Sequence, residues 1–127
     1  MLLTRRELCS VFPVALLPAL LSVGAPTANN AQFREVLKGR LATWESLEVH
    51  ETTLPPGGAP HPPHHHVHSE IWLIREGTVE LAVSGTSYRL GPGSVGFVHS
   101  NDEHGIKNVG ATPATYFVVA IGPGADS

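Results

Sequence analysis

58-GAPHPPHHHVHSEIWLIREG-77 packs five histidines into positions 61 to 68 and follows them with a glutamate and an apolar run. The stretch continues a Pro-Gly-rich turn, 55-PPGGAP-60, and leads into 71-IWLIRE-76, an apolar run of strand length bounded by turn residues. The histidines therefore belong on or beside a strand. Successive side chains on an extended backbone point to opposite faces, so His64 and His66 share one face and His65 and Val67 the other. A His-x-His pair on one face sets two imidazole nitrogens side by side, and imidazole suits Zn, Cu, Fe, Ni or Mn. Glu70 adds a carboxylate oxygen four residues beyond His66. Trp72 and Ile74 alternate with Glu70, which predicts an apolar wall on the same inward face.

The chain on either side is punctuated in the same way. The runs 47-LEVHETTL-54, 78-TVELAVS-84, 95-VGFV-98 and 115-TYFVVAI-121 are separated by Gly77, 84-SGTS-87, 91-GPGS-94, 99-HSNDE-103 and 108-NVGATP-113. Val79, Leu81 and Val83 alternate with polar or small neighbours, as a half-buried strand requires. Short strands at this spacing predict an all-β sandwich or barrel. One segment reads differently: 31-AQFREVLKGR-40 has the look of a short helix stopped by Gly39. At 127 residues and without repeats, a single domain is expected.

The order Gly58-x5-His64-x-His66-x3-Glu70-x6-Gly77 resembles the first motif of the cupin superfamily at every position. A second motif is matched in part by Gly93, His104 and Asn108, with His99 and Asn101 standing where the family pattern has proline and glycine. The resemblance runs from about residue 47 to 121. It implies an all-β, single-domain cupin jelly-roll β-barrel whose mouth holds one metal ion on His64, His66, Glu70 and His104. Such a set leaves coordination positions open, as catalysis at a metal requires. Glu70 either completes that set or acts as a base. His61, His65 and His68 read as a solvated histidine-rich loop. His99 reads as a turn residue, and Asn108 as a turn residue or a hydrogen-bond partner that orients His104. Trp44, Tyr88 and Tyr116 are expected in core or interface packing, with stacking on a sugar or aromatic ring as the alternative.

The first residues have another character. A basic pair, an apolar run over residues 8–21 and then small residues form the order of a cleavable export signal, expected at residues 1–28. Thr4-Arg5-Arg6-Glu7-Leu8 resembles the twin-arginine type. The apolar run is short and interrupted by Pro13 and Pro18, so no stable membrane anchor is expected. An N-terminal segment at 29–46, the cupin domain at 47–122 and a tail at 123–127 complete the expected organisation. Cys9, the one cysteine, falls in the signal, so disulfides, thiolate ligands and cysteine nucleophiles are excluded from the rest. From Pro26 onward six Lys/Arg face ten Asp/Glu, and no basic patch with interleaved aromatics points to nucleic acid.

Three functions remain open: an oxidoreductase using oxygen or peroxide, a non-redox isomerase or lyase, and a non-catalytic binder of metal or sugar. Periplasmic or secreted placement favours the first. A thiol-free nitrogen and oxygen site there tends towards copper, with Fe or Mn as alternatives. Oxidative attack on an extracellular polysaccharide or a small phenolic is the expectation that follows. A small jelly roll also leaves sheet edges and apolar faces to cover, which predicts a homodimer.

Overall fold

The computed structural model describes residues 30–127, and the expected export segment at 1–28 lies outside them. Eight strands follow in order: β1 (Gln32–Arg40), β2 (Ser46–Leu54), β3 (Ser69–Glu76), β4 (Val79–Val83), β5 (Thr86–Leu90), β6 (Val95–Val98), β7 (His104–Asn108) and β8 (Ala114–Ile121). They form a five-stranded sheet, β1-β2-β8-β3-β6, and a three-stranded sheet, β5-β4-β7, with every pairing antiparallel. The two inner faces pack on each other as a jelly-roll barrel. Among the described residues no helix is long and apolar enough to cross a membrane.

Alternation along the strands builds the core. Leu54, Trp72, Ile74, Val79, Leu81, Val98, Ile106, Tyr116 and Val118 form one buried cluster. Each such side chain contributes roughly 1.5–3 kcal/mol on leaving water. Gly96 lets the sheets close on each other, since a Cβ there would sit 2.6 Å from Leu81 Cδ2. Trp72 and Ile74 face inward behind Glu70, as alternation predicts.

The opposite face of the larger sheet is also apolar. Leu37 pairs with Val49, Val49 with Val119, Val119 with Ile71 and Ile71 with Phe97, so one apolar row crosses all five strands. Leu37, Leu73, Val95 and Phe97 remain exposed on that side.

Residues 31–40 do not form the expected helix. Gln32–Arg40 form β1, the edge strand paired with β2 from Gln32↔Thr53 to Arg40↔Ser46. A ladder to an existing strand outweighs the helical propensity of this short segment, because propensity amounts to a few tenths of a kcal/mol per residue. The break expected at 84–87 is also shorter. Only Ser84 and Gly85 turn, both with positive φ (48° and 83°), and β5 begins at Thr86. This is the geometry of a two-residue hairpin.

Candidate metal centre

Three segments bring the histidines together. His64 and His104 exchange backbone hydrogen bonds of 2.9 and 2.8 Å, which ties the histidine-rich loop to the start of β7. One step along, the Asn101 amide donates to the His66 carbonyl at 2.7 Å. Glu70 enters from the facing sheet, on β3. One ligand atom from each of His64, His66 and His104 lies within 4.8 Å of the others, and the same holds for His66, His68 and Glu70. The rings of His64, His66 and His104 are mutually inclined by 69 to 72°, so their edges converge instead of stacking.

The hydrogen bonds behind the rings fix which nitrogen faces the centre. His66 Nδ1 donates to the His68 carbonyl and His104 Nδ1 to the Asp102 carbonyl, each at 2.9 Å. A carbonyl only accepts, so each Nδ1 carries the proton and each Nε2 faces the centre, where the neutral ring presents a lone pair. His66 Nε2, His104 Nε2 and Glu70 Oε2 are buried without a hydrogen-bond partner among the described residues. Buried polar atoms are rarely left so. Two lone pairs and a carboxylate oxygen converging on one point are what a cation satisfies, and the backbone carbonyls supply the outer support that metal-bound histidines use. The cluster can therefore hold one metal ion.

The electrostatics agree. Burial and the neighbouring His61, His104 and His66 push the His64 imidazole down to about 4, so it is neutral at pH 7. Burial, with His66 beside it, also lowers His68. At Glu70 burial acts to raise the carboxyl, but His104, His66 and His68 together hold it below the ordinary value. At His104 burial acts to lower the imidazole, and Glu70 with the Asp102 carbonyl outweighs it, so the net shift is upward. Binding of a cation displaces a proton from such a pair.

Two expectations are corrected here. His68 is no bystander: its ring stacks on His66 at 3.6 Å and its Nε2 lies 3.4 Å from Glu70 Oε1. Alternation from His64 and His66 carries the signal, because His68 is the next residue on the same face. Of the two readings of Asn108, the turn residue holds and the partner of His104 does not. Its side-chain amide donates to the Leu54 and Thr112 carbonyls and its oxygen accepts from the Gly110 amide, which latches the β7–β8 turn to β2. Asp102 orients His104 instead. His99 is exposed, in a turn where Asn101 takes φ 66°. Tyr116 is buried in the core, whereas Trp44 and Tyr88 are exposed.

The cluster opens onto a cavity of about 490 Å³ between the sheets. Trp72, Tyr116 and Ala120 line its floor, and Glu48, His50 and Thr52 of β2 with Glu35 and Lys38 of β1 line the far side. That polar far wall was missed in the sequence. Its trace there is the alternation of Ser46, Glu48, His50 and Thr52 along one strand, which ends on buried Leu54.

The chain is similar to several known proteins. The family model described as "Cupin domain" matches residues 50–120. L-ectoine synthase of Bordetella petrii is 44% identical over 78 residues, covering 51% of this chain and 58% of that protein. Mannose-1-phosphate guanylyltransferase of Escherichia coli is 33% identical over 67 residues, covering 53% of this chain and 14% of that protein. The chain thus spans little more than half the length of the first relative. Among solved structures, an RmlC-like cupin from Shewanella frigidimarina superposes with a TM-score of 0.64 at 18% identity, covering 82% of this chain and 83% of the other.

Proposed function

Because the chain belongs to the cupin family, we propose that it is a metal-dependent enzyme that transforms a small polar molecule in the mouth of the barrel. The observation that carries this reading is the set of three buried ligand atoms without hydrogen-bond partners beside a polar cavity of about 490 Å³. His64, His66, Glu70 and His104 hold the ion, with His68 beside them. When bound, the ion supplies a Lewis acid for a carbonyl, carboxylate or hydroxyl of the substrate. Glu70 either stays on the ion or accepts a substrate proton. Trp72 and Tyr116 shut water out of the floor, which strengthens every charge interaction above them. Both named relatives are enzymes, a synthase and a guanylyltransferase, and neither name denotes a redox reaction. A non-redox lyase, isomerase or cyclase step is the preferred chemistry.

A second reading has its own support. The donor set is rich in imidazole and free of thiolate, which suits Cu, Fe or Mn as well as Zn. Under that reading the chain is an exported copper oxidoreductase acting on extracellular polysaccharide or a phenolic, with the site open to oxygen or peroxide. Periplasmic or secreted placement belongs to both readings.

A ligand screen separates them. Metal-stripped protein reloaded with zinc or copper is tested by thermal shift against small hydroxy acids, amino acids and sugar acids. A ligand that raises Tm only in the loaded protein, without consuming oxygen, supports the first reading. Oxygen consumption with a reductant and polysaccharide or phenolic supports the second. If no compound binds and no oxygen is consumed, both readings fail and a non-catalytic metal binder remains.

A further inference from the structure

The far wall of the cavity carries a second arrangement that the metal centre does not use. Glu48 and His50 alternate on the inner face of β2, and His50 Nδ1 lies 2.8 and 3.1 Å from the two Glu48 oxygens. A carboxylate accepts only, so Nδ1 is the donor and the lone pair of the neutral ring is on Nε2. That Nε2 makes no hydrogen bond among the described residues, and His50 lines the cavity. Phe33 packs on the ring at 4.7 Å between centroids. A carboxylate that holds one imidazole nitrogen and leaves the other free is the device that orients a proton acceptor.

The register places this pair opposite the metal centre. Glu48 pairs with Ala120, and Ala120 pairs with Glu70, so the two glutamates flank one alanine in a single row across β2, β8 and β3. Strands repeat at about 4.8 Å, so their backbones stand roughly 10 Å apart. The methyl of Ala120 is the only side chain between them in that row, and the gap has room for a small molecule. His50 lies in the next row, opposite Val118 and then Trp72. From β1, Glu35 is the register partner of His50, and Lys38, the register partner of Glu48, lies 3.9 Å from Glu35.

We propose that Glu48 and His50 form a proton-transfer pair, with His50 Nε2 as the acid–base group for a substrate held between it and the metal centre. The proposal rests on the reading of the cavity as a reaction chamber. Nε2 takes a proton from an O–H, N–H or activated C–H of the substrate. The bond pair stays on the substrate atom, a new N–H bond forms, and the Glu48 carboxylate balances the imidazolium. The same proton returns to the substrate in a later step, so nothing external is consumed.

The test uses zinc-loaded full-length protein and diethyl pyrocarbonate as an electrophilic probe, with modified histidines mapped by mass spectrometry. His50 is expected to react faster than the exposed His65 and His99, and Glu48→Gln to slow it several-fold without changing those two. Equal reactivity of His50 in both proteins, or none in either, overturns the proposal. Nitrogen-resolved NMR of the wild type covers the case in which the variant misfolds. A neutral His50 protonated on Nδ1 supports the pair, and one protonated on Nε2 overturns it. For any compound turned over, His50→Gln should cut kcat by about 100-fold or more with zinc content unchanged. Loss of turnover on chelation with none in His50→Gln rejects the pair alone, and turnover that survives chelation rejects the metal reading instead.

Discussion

His104 Nε2 lies 3.3 Å from Glu70 Oε2, and the two residues come from opposite sheets of the barrel. The contact joins the end of the histidine-rich segment to the start of β7, and neither atom completes a directional hydrogen bond. It is the point at which fold closure and site formation coincide.

Glu70→Gln separates the two roles of this carboxylate. The amide oxygen keeps a neutral ligand atom in place, so metal affinity measured by titration calorimetry should fall without vanishing. Turnover of any identified substrate should fall further than occupancy does if Glu70 is also the base. Equal losses leave it as a ligand only.

His68→Ala tests the place of His68 beside the metal ligands. Losing the ring that stacks on His66 and approaches Glu70 should weaken metal binding by about tenfold in the same titration. An unchanged affinity would return His68 to the solvated loop.

Gly77→Ala should destabilise the barrel without touching the metal. Gly77 has φ +77°, and a Cβ there would stand 2.7 Å from both the Pro113 oxygen and Ala114 Cα. The left-handed backbone alone costs about 1 kcal/mol for a residue with a Cβ, and the clash adds to it. A lower Tm with unchanged metal stoichiometry is expected.

Glu51 ties β1 to β2 and β3 through Arg34 at 2.6 Å and Arg75 at 2.8 Å. The Arg34 hydrogen bond, with Arg75 and against a smaller effect of burial, holds the carboxyl below its ordinary 4.5. A carboxylate lowered on folding contributes stability above its unfolded value and loses it as pH falls through the folded one. Glu51→Gln should therefore lower Tm at pH 7, and the gap to wild type should close as the pH falls through the lowered folded-state value. A gap that persists in acid would point to packing instead of charge.

The apolar row from Leu37 to Phe97, with Leu73 and Val95 beside it, presents a broad sheet face that a second copy can cover by two-fold self-association. We predict a dimer in sedimentation velocity and a monomer for Phe97→Asp. A monomeric wild type would rule out the homodimer.

The strands around the site were legible because their alternation is strict. His64, His66, Glu70, Trp72 and Ile74 fall on the faces that period 2 assigns, and the spacing to His104 carried the family resemblance. β1 was not legible, since Phe33, Val36 and Leu37 are exposed and nothing local opposes a helix; only pairing with β2 decides it. Asn108 was legible as a turn residue but not its partners, because a motif position does not reveal which backbone groups a turn brings near. Glu48 and His50 were hidden for a similar reason: the register that sets them opposite Glu70 is a property of three strands, not one.

Elemental analysis of the untagged protein, beside His104→Ala purified in the same way, decides whether His64, His66, Glu70 and His104 hold a metal ion. About one transition-metal ion per wild-type chain is expected and close to none in the variant, with both proteins folded by circular dichroism. Equal metal in the two proteins, or a wild type that takes up none when saturated with zinc, copper, iron and manganese in turn, would contradict it.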